Sequence, residues 1–90
     1  MPKIIFITGA TSGFGKAAAV KFASHGYDCI INGRREDRLN TLQAELESKY
    51  NIAVYTLPFD VQDEKLVFNS INRLPDEWKK IDVLFNNAGL

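Results

Sequence analysis

A glycine-rich segment near the N-terminus constrains the fold of this chain most. Gly9, Gly13 and Gly15 follow the apolar run Ile4–Ile7, and the alanine-rich residues 16–24 come directly after them. This order predicts a β-strand, a tight turn and an α-helix whose N-terminus directs backbone N–H groups and the positive end of its dipole at one point. Because a phosphate group fits such a point, the segment predicts a nucleotide-binding site.

The three glycines have different expected roles in this turn. Gly9 would adopt a positive φ, Gly13 would let phosphate oxygens approach bare backbone, and Gly15 would let the helix pack closely against the strand. The phosphate-binding loop of the P-loop NTPases would need glycine at Ala10 and a hydroxyl at Ala17, so we exclude that class. A strand-to-helix turn without a ligand is the structural alternative.

Strand and helix patterns alternate along the whole chain. The predicted strands are Ile4–Thr8, Asp28–Asn32, Val54–Leu57 and Ile81–Phe85. The predicted helices run from about Phe14 to Ser24, from about Glu36 to Tyr50, and through Val67, Ile71 and Leu74 until Pro75. Such alternation is typical of βαβ units, so we predict an α/β fold, a Rossmann-type doubly wound parallel sheet with its first four strands in the order 3-2-1-4. This order places a ligand at the carboxyl ends of the first and fourth strands.

Composition excludes several other classes of protein. Of the 90 residues 46% are apolar, and eleven basic residues balance eleven acidic ones, so no net charge attracts nucleic acid or an anionic membrane surface. The apolar run before Gly9 is too short for a signal peptide or a membrane span, and Cys29 has no second cysteine with which to pair. His25 has no partner at a metal-ligand spacing. We therefore expect a cytoplasmic protein without a metal site.

Two motifs point to a known family. Thr8–Gly15 matches the pattern T-G-x-x-x-G-x-G, and Asn86–Gly89 matches N-N-A-G. With Asp60 between them, the whole chain resembles the N-terminal half of the short-chain dehydrogenase/reductase family. The segments that carry a closer likeness to its NADP-dependent 3-hydroxy acid (serine-type) dehydrogenases are Gly13–Gly15, Gly33–Arg35 and Leu74–Trp78.

The residues after the second strand predict which dinucleotide is bound. NAD sites usually carry an acidic residue at the end of that strand, where this chain has Gly33. An acidic side chain would repel a 2′-phosphate, whereas the planar guanidinium groups of Arg34 and Arg35 suit it. We therefore expect NADP(H), with both arginines at the 2′-phosphate. Two solvated surface charges are the alternative.

The resemblance implies further contacts with the cofactor. It implies that Asp60 accepts a hydrogen bond from the adenine amino group and that the backbone of Val61 contacts the ring edge, although Asp60 could also cap a helix. It places Asn87 and its two successors along the ribose, and Phe14 near the nicotinamide. The cofactor-binding residues expected in all are Gly9, Thr11, Ser12, Gly13, Phe14, Gly15, Arg34, Arg35, Asp60, Val61, Asn87, Ala88 and Gly89.

The resemblance also implies that a hydride passes between the nicotinamide and a carbonyl carbon while a tyrosine donates the proton. A lysine four residues later would lower the pKa of that tyrosine, and a serine would polarise the carbonyl. The three tyrosines of this chain are followed at that spacing by Ile31, Val54 and Phe59, so no residue here is expected to be catalytic. We expect residues 1–90 to be the NADP-binding half of a single Rossmann domain, truncated after the fourth strand. The longer oxidoreductase would act on a small hydroxy acid or carbonyl as a homotetramer or homodimer. The alternatives are a non-catalytic NADP-binding module completed by a partner chain, and a relic that binds nothing.

Overall fold

The computed structural model describes residues 2–11, 13–59 and 64–87. Strands and helices alternate through these residues, as the sequence predicts. The elements are β1 (Ile4–Thr8), α1 (Gly13–Ser24), β2 (Asp28–Gly33), α2 (Glu36–Tyr50), β3 (Val54–Pro58), α3 (Glu64–Asn72), α4 (Asp76–Lys79) and β4 (Val83–Asn86).

The four strands form one parallel sheet in the order β3-β2-β1-β4, which confirms the predicted topology. β1 lies in the interior of the sheet, where Ile7 is in register with Ile31 of β2 and with Phe85 of β4. All five residues of β1 are buried, which explains why this strand shows no alternation of polar and apolar residues. Because β1 and β4 are neighbours, their carboxyl ends meet where the ligand is expected.

Helices cover both faces of the sheet. Small and branched apolar side chains of α1 and α2 pack on one face, and they include Ala19, Ala23, Leu39, Leu42 and Leu46. On the opposite face, Phe6 and Ile30 pack with Leu74, and Ile71 and Trp78 lie against them. In residues 2–11, 13–59 and 64–87, no helix has the length and apolar character needed to cross a membrane.

The helical segment after β3 differs from the prediction. α3 ends at Asn72, and the predicted helix through Leu74 is therefore too long. Leu74 is buried against the sheet, and Pro75 is the N-cap residue of α4, a short helix that the sequence analysis did not predict. Proline suits the start of a helix because its fixed φ is helical and it lacks an N–H group. Pro75 thus ends one segment and begins another.

Strand boundaries also differ by one or two residues. β2 and β3 each continue one residue further than predicted, to Gly33 and Pro58. β4 begins at Val83 rather than at Ile81. Just before it, Asp82 forms two hydrogen bonds with Ile4. Its carboxylate accepts from the Ile4 N–H at 2.8 Å, and its N–H donates to the Ile4 carbonyl oxygen at 2.9 Å.

Candidate nucleotide-binding site

The glycine turn between β1 and α1 has the geometry that the motif requires. Gly9 has a φ of 61°, as predicted, and Gly13 at the start of α1 has a φ of 54°. A Cβ on Gly15 would overlap the carbonyl oxygen of Gly9 and would lie 2.9 Å from Nδ2 of Asn87, so close packing at Gly15 is confirmed. The space beside Gly13 is open: within the described part of the chain, no atom lies within 4 Å of the Cβ position.

Two backbone N–H groups of the turn are already bonded within the protein. The Gly9 N–H donates to Oδ1 of Asn32 at 3.4 Å, and the Ala10 N–H donates to the carbonyl oxygen of Asn32 at 2.8 Å. The first N–H groups of an α-helix, in contrast, have no acceptor within the helix. The backbone N–H groups in the first turn of α1, at Gly13 and the two residues after it, are therefore the helix donors that we expect to bind a phosphate.

Hydrogen bonds join the T-G-x-x-x-G-x-G and N-N-A-G motifs directly. The Thr8 hydroxyl donates to Oδ1 of Asn86 and accepts the Asn87 N–H, both at 2.9 Å. Nδ2 of Asn87 donates to the carbonyl oxygen of Gly9 at 3.2 Å. Asn86 thus accepts a side-chain hydrogen bond from β1 at the end of β4. Thr8 is 2% exposed and was absent from the expected site residues, although it is the first residue of the motif.

Asn32 is a second polar residue that the sequence analysis missed. Its side chain is 1% exposed, and its Nδ2 donates to the carbonyl oxygens of Leu57 at 2.9 Å and Phe59 at 3.0 Å. Together with the bond from Gly9, these contacts join the carboxyl ends of β1, β2 and β3. The signal in the sequence was one amide side chain at the end of the buried run from Cys29 to Ile31.

Arg34 and Arg35 follow β2 directly and are both exposed. The end of β2 lies against the glycine turn, since a Cβ on Gly33 would be 3.1 Å from Cγ2 of Thr11. Arg35 is the N-cap residue of α2, and its side chain makes no capping hydrogen bond. Among the residues that the structure describes, neither guanidinium is paired with a carboxylate. The two arginines therefore carry exposed positive charge at the end of β2, which lies against the turn.

A cleft of about 250 Å³ lies next to Thr11, between α1 and α2. Lys16 and Arg38 contribute cations to its lining, and Asp37 and Glu45 contribute carboxylates. These charges balance, so the cleft alone does not favour an anion. Arg34 and Arg35, the exposed arginines at the end of β2, are not part of this lining.

The other expected site residues divide into two groups. Phe14 lies in the first turn of α1, where its ring is 79% exposed beside the open space at Gly13. The remaining residues of the expected site lie outside the described part of the chain, and they are Ser12, Asp60, Val61, Ala88 and Gly89.

Cys29 is a buried thiol in the middle of the sheet. Burial, with a smaller contribution from the charge of Asp28, raises the pKa of Cys29 from its ordinary value of 9.0 to about 12. The thiol is therefore protonated at neutral pH, and it lies at the opposite end of β2 from Gly33. Cys29 fits a packing role and is not a nucleophile of this site.

Comparisons with known proteins agree with this arrangement. The model of the short chain dehydrogenase family matches residues 3–90. Sulfoacetaldehyde reductase 2 of Chromohalobacter salexigens is 49% identical over 90 residues, which are all of this chain and 35% of that protein. Serine 3-dehydrogenase of Rhizobium radiobacter is 47% identical over 90 residues, all of this chain and 34% of that protein. The chain thus spans about a third of the length of these curated relatives.

A solved structure extends the similarity to three dimensions. L-Sorbose reductase from Gluconobacter frateurii, crystallised as a complex with NADPH and L-sorbose, superposes with a TM-score of 0.90 at 31% identity. The superposition covers 99% of this chain and 34% of that one. The likeness therefore includes every described element of the sheet and its helices.

Proposed function

This chain belongs to the short-chain dehydrogenase family, and from that premise we propose that it holds NADP(H) for an oxidoreductase acting on a small hydroxy acid or carbonyl compound. The observation that carries the choice of cofactor is the exposure of Arg34 and Arg35 beside Gly33, where their guanidinium groups pair with no carboxylate of the described residues. The NADPH complex of the sorbose reductase supports the same cofactor, and the names of the relatives support a reductase or dehydrogenase.

The residues present fit the parts of the cofactor. The first turn of α1 offers helix N–H groups and an open approach at Gly13 for the diphosphate. We also assign the hydroxyls of Thr11 and Ser12 to the diphosphate, as the sequence analysis expects. Arg34 and Arg35 would bind the 2′-phosphate, where an acidic residue would repel it. Gly33 leaves little space for a larger side chain, because Thr11 and Leu39 lie within 3.3 Å of its Cβ position.

The other contacts in this proposal come from the resemblance to the family. We assign Asp60 and Val61 to the adenine ring, and Asn87, Ala88 and Gly89 to the ribose. Asn87 is suited to this role because its side chain already holds the carbonyl oxygen of Gly9.

When bound, NADP(H) supplies or accepts the hydride that is exchanged with a hydroxyl or carbonyl carbon. The residues of this chain bind and orient it. From the resemblance we place the exposed ring of Phe14 near the nicotinamide, where it would narrow that end of the site. We assign proton transfer to residues other than these 90, because no tyrosine here has a lysine four positions later. The proposed assembly of the whole enzyme is a homotetramer or homodimer.

Titration of the full-length protein with NADPH and NADH tests the cofactor assignment. In the Arg34→Ala, Arg35→Ala double variant we expect about a hundredfold loss of NADPH affinity, since a hydrogen bond to a charged group contributes about 1.5–3 kcal/mol. NADH affinity should change by less than about threefold, because NADH has no 2′-phosphate. Calorimetry measures both constants.

A matched control removes the same amount of charge elsewhere. Lys79 and Lys80 are exposed cations at the end of α4, so Lys79→Ala, Lys80→Ala should leave both affinities unchanged. If the arginine variant binds NADPH as tightly as the unaltered protein, the assignment of the 2′-phosphate is wrong.

A further inference from the structure

We propose that Asn32 is a positioning residue for the adenosine half of the cofactor. Its amide fixes the start of the glycine turn relative to the segment that follows β3, although Asn32 itself does not contact the cofactor. This inference rests on the proposed function, since it concerns the affinity of the same site for NADP(H).

The Asn32 side chain has hydrogen bonds to both neighbouring strand ends. Nδ2 donates to the carbonyl oxygen of Leu57, which lies within β3, and to that of Phe59, which follows β3 directly. Oδ1 accepts from Gly9, the first residue of the turn, and the backbone carbonyl of Asn32 accepts from Ala10. One residue of β2 therefore holds the segments that leave β1 and β3.

Only an amide satisfies this set of partners. An amide has two donors and an acceptor. A carboxylate would direct an oxygen at the Leu57 and Phe59 carbonyl oxygens, and leucine would remove all three side-chain hydrogen bonds. Because the side chain is 1% exposed, water cannot replace the missing bonds. Threonine could restore only part of the set, through a single hydroxyl.

The segments held by Asn32 carry the adenosine contacts of the proposed site. Phe59 directly precedes Asp60 and Val61, and Arg34 follows Asn32 by two residues. The other side of the turn is held separately, by Thr8 and Asn87. Loss of the Asn32 amide should therefore displace the adenosine contacts and leave the nicotinamide side of the site in place.

The test measures each half of the cofactor separately in the full-length protein. Adenosine 2′,5′-bisphosphate reports the adenosine half, reduced nicotinamide mononucleotide reports the other half, and NADPH reports the whole. For Asn32→Leu we expect about a tenfold or greater loss of affinity for the bisphosphate and for NADPH, with the mononucleotide affinity within about twofold of the unaltered value. Asn32→Thr should lose about threefold, because one hydroxyl restores part of the set.

Gln43→Leu is the matched control for a purely structural effect. Nε2 of Gln43 donates to the carbonyl oxygen of Val54 at 2.9 Å, so this variant also removes an amide bond to β3, but at the amino end of the strand. It should lower the midpoint of thermal unfolding without changing the affinity for any probe. If Asn32→Leu does not fold, Asn32→Thr carries the test, since threonine is well suited to a strand.

Each outcome decides the proposal. It is overturned if a folded Asn32 variant binds the bisphosphate within about twofold of the unaltered protein, or if both fragments lose affinity equally. If the unaltered protein does not bind NADPH, the proposed function fails and this inference fails with it. Normal NADPH binding by the unaltered protein, with normal binding by the Asn32 variants, overturns this inference alone.

Discussion

Gly13 and Gly15 lie in the same helical turn, but glycine is needed at each for a different reason. Alanine normally stabilises a helix by about 1 kcal/mol relative to glycine. At Gly15, however, the added methyl group would overlap the Gly9 carbonyl, and overpacking of this kind costs about 1–3 kcal/mol. We therefore expect Gly15→Ala to lower the free energy of unfolding and to weaken NADPH binding, as measured by urea denaturation and calorimetry.

Gly13→Ala is the comparison for that prediction. The space at Gly13 is open in the described part of the chain, so only the positive φ disfavours alanine there. We expect Gly13→Ala to lower the unfolding free energy by about 1–2 kcal/mol. An unfolding free energy for Gly15→Ala equal to or above that of the unaltered protein would show that the turn has room for a side chain.

Cys29 links stability to alkaline pH. Because burial raises the pKa of its thiol to about 12 in the folded protein, the unfolded chain loses the thiol proton first as the pH rises above 9.0. Between these two values the unfolded state binds fewer protons, so the thiol's contribution to stability falls with pH. From about pH 8 to about pH 10 we expect the unaltered protein to lose about 1 kcal/mol more unfolding free energy than Cys29→Ala. Parallel denaturation curves for the two proteins at these pH values would contradict the raised pKa.

At the element scale, the Thr8 hydroxyl adds side-chain hydrogen bonds to the backbone pairing of β1 with β4. Thr8→Val keeps the shape of the side chain but leaves the Asn87 N–H and the Asn86 amide oxygen without this partner. Asn86 is exposed and Asn87 is half-buried, so water can replace part of these bonds. We therefore expect a loss of about 1 kcal/mol in unfolding free energy, together with faster hydrogen exchange at the Asn87 amide. Thr41 is an exposed residue of α2, and its hydroxyl donates only to the Asp37 carbonyl oxygen. Thr41→Val should therefore lower the unfolding free energy by less than about 0.5 kcal/mol. Equal losses of unfolding free energy in Thr8→Val and Thr41→Val would mean that the Thr8 hydrogen bonds do not stabilise β4.

The elements that the sequence predicts well are those whose signals are local. The apolar run of β1, the spacing of Leu39, Leu42 and Leu46, and the glycines of the turn each act within a few residues, and the structure has them as expected. The start of β4 depends instead on Asp82 and Ile4, which are 78 residues apart in the chain. A local pattern cannot contain that information.

The candidate site divides in the same way. The motif residues and the arginine pair could be recognised from spacing and charge. Thr8 and Asn32 could not, because their roles come from hydrogen bonds to segments 23 to 79 residues away. Short polar side chains at the ends of buried strands are therefore the residues whose function a sequence pattern hides, even when a motif already includes them.

At the scale of all 90 residues, the formal net charge is zero. These residues together exert little long-range attraction on an anion, so any electrostatic preference that they give for NADPH over NADH comes from a local charge. Arg34 and Arg35 are that charge in our proposal, and both are exposed to solvent. Exposed charges interact through a medium that salt screens, which makes the preference itself dependent on ionic strength.

Raising the salt concentration from about 0.1 M to about 1 M shortens the Debye length from about 10 Å to about 3 Å. We expect the NADPH affinity to fall about tenfold more than the NADH affinity over this range, because the second cofactor lacks the phosphate that the arginines bind. In the Arg34→Ala, Arg35→Ala variant the two cofactors should respond to salt equally. Calorimetric titrations of both proteins at the two salt concentrations measure the difference. If salt lowered the affinities for both cofactors equally in the unaltered protein, selectivity would have to come from a buried contact that salt does not screen. It could not come from this exposed pair.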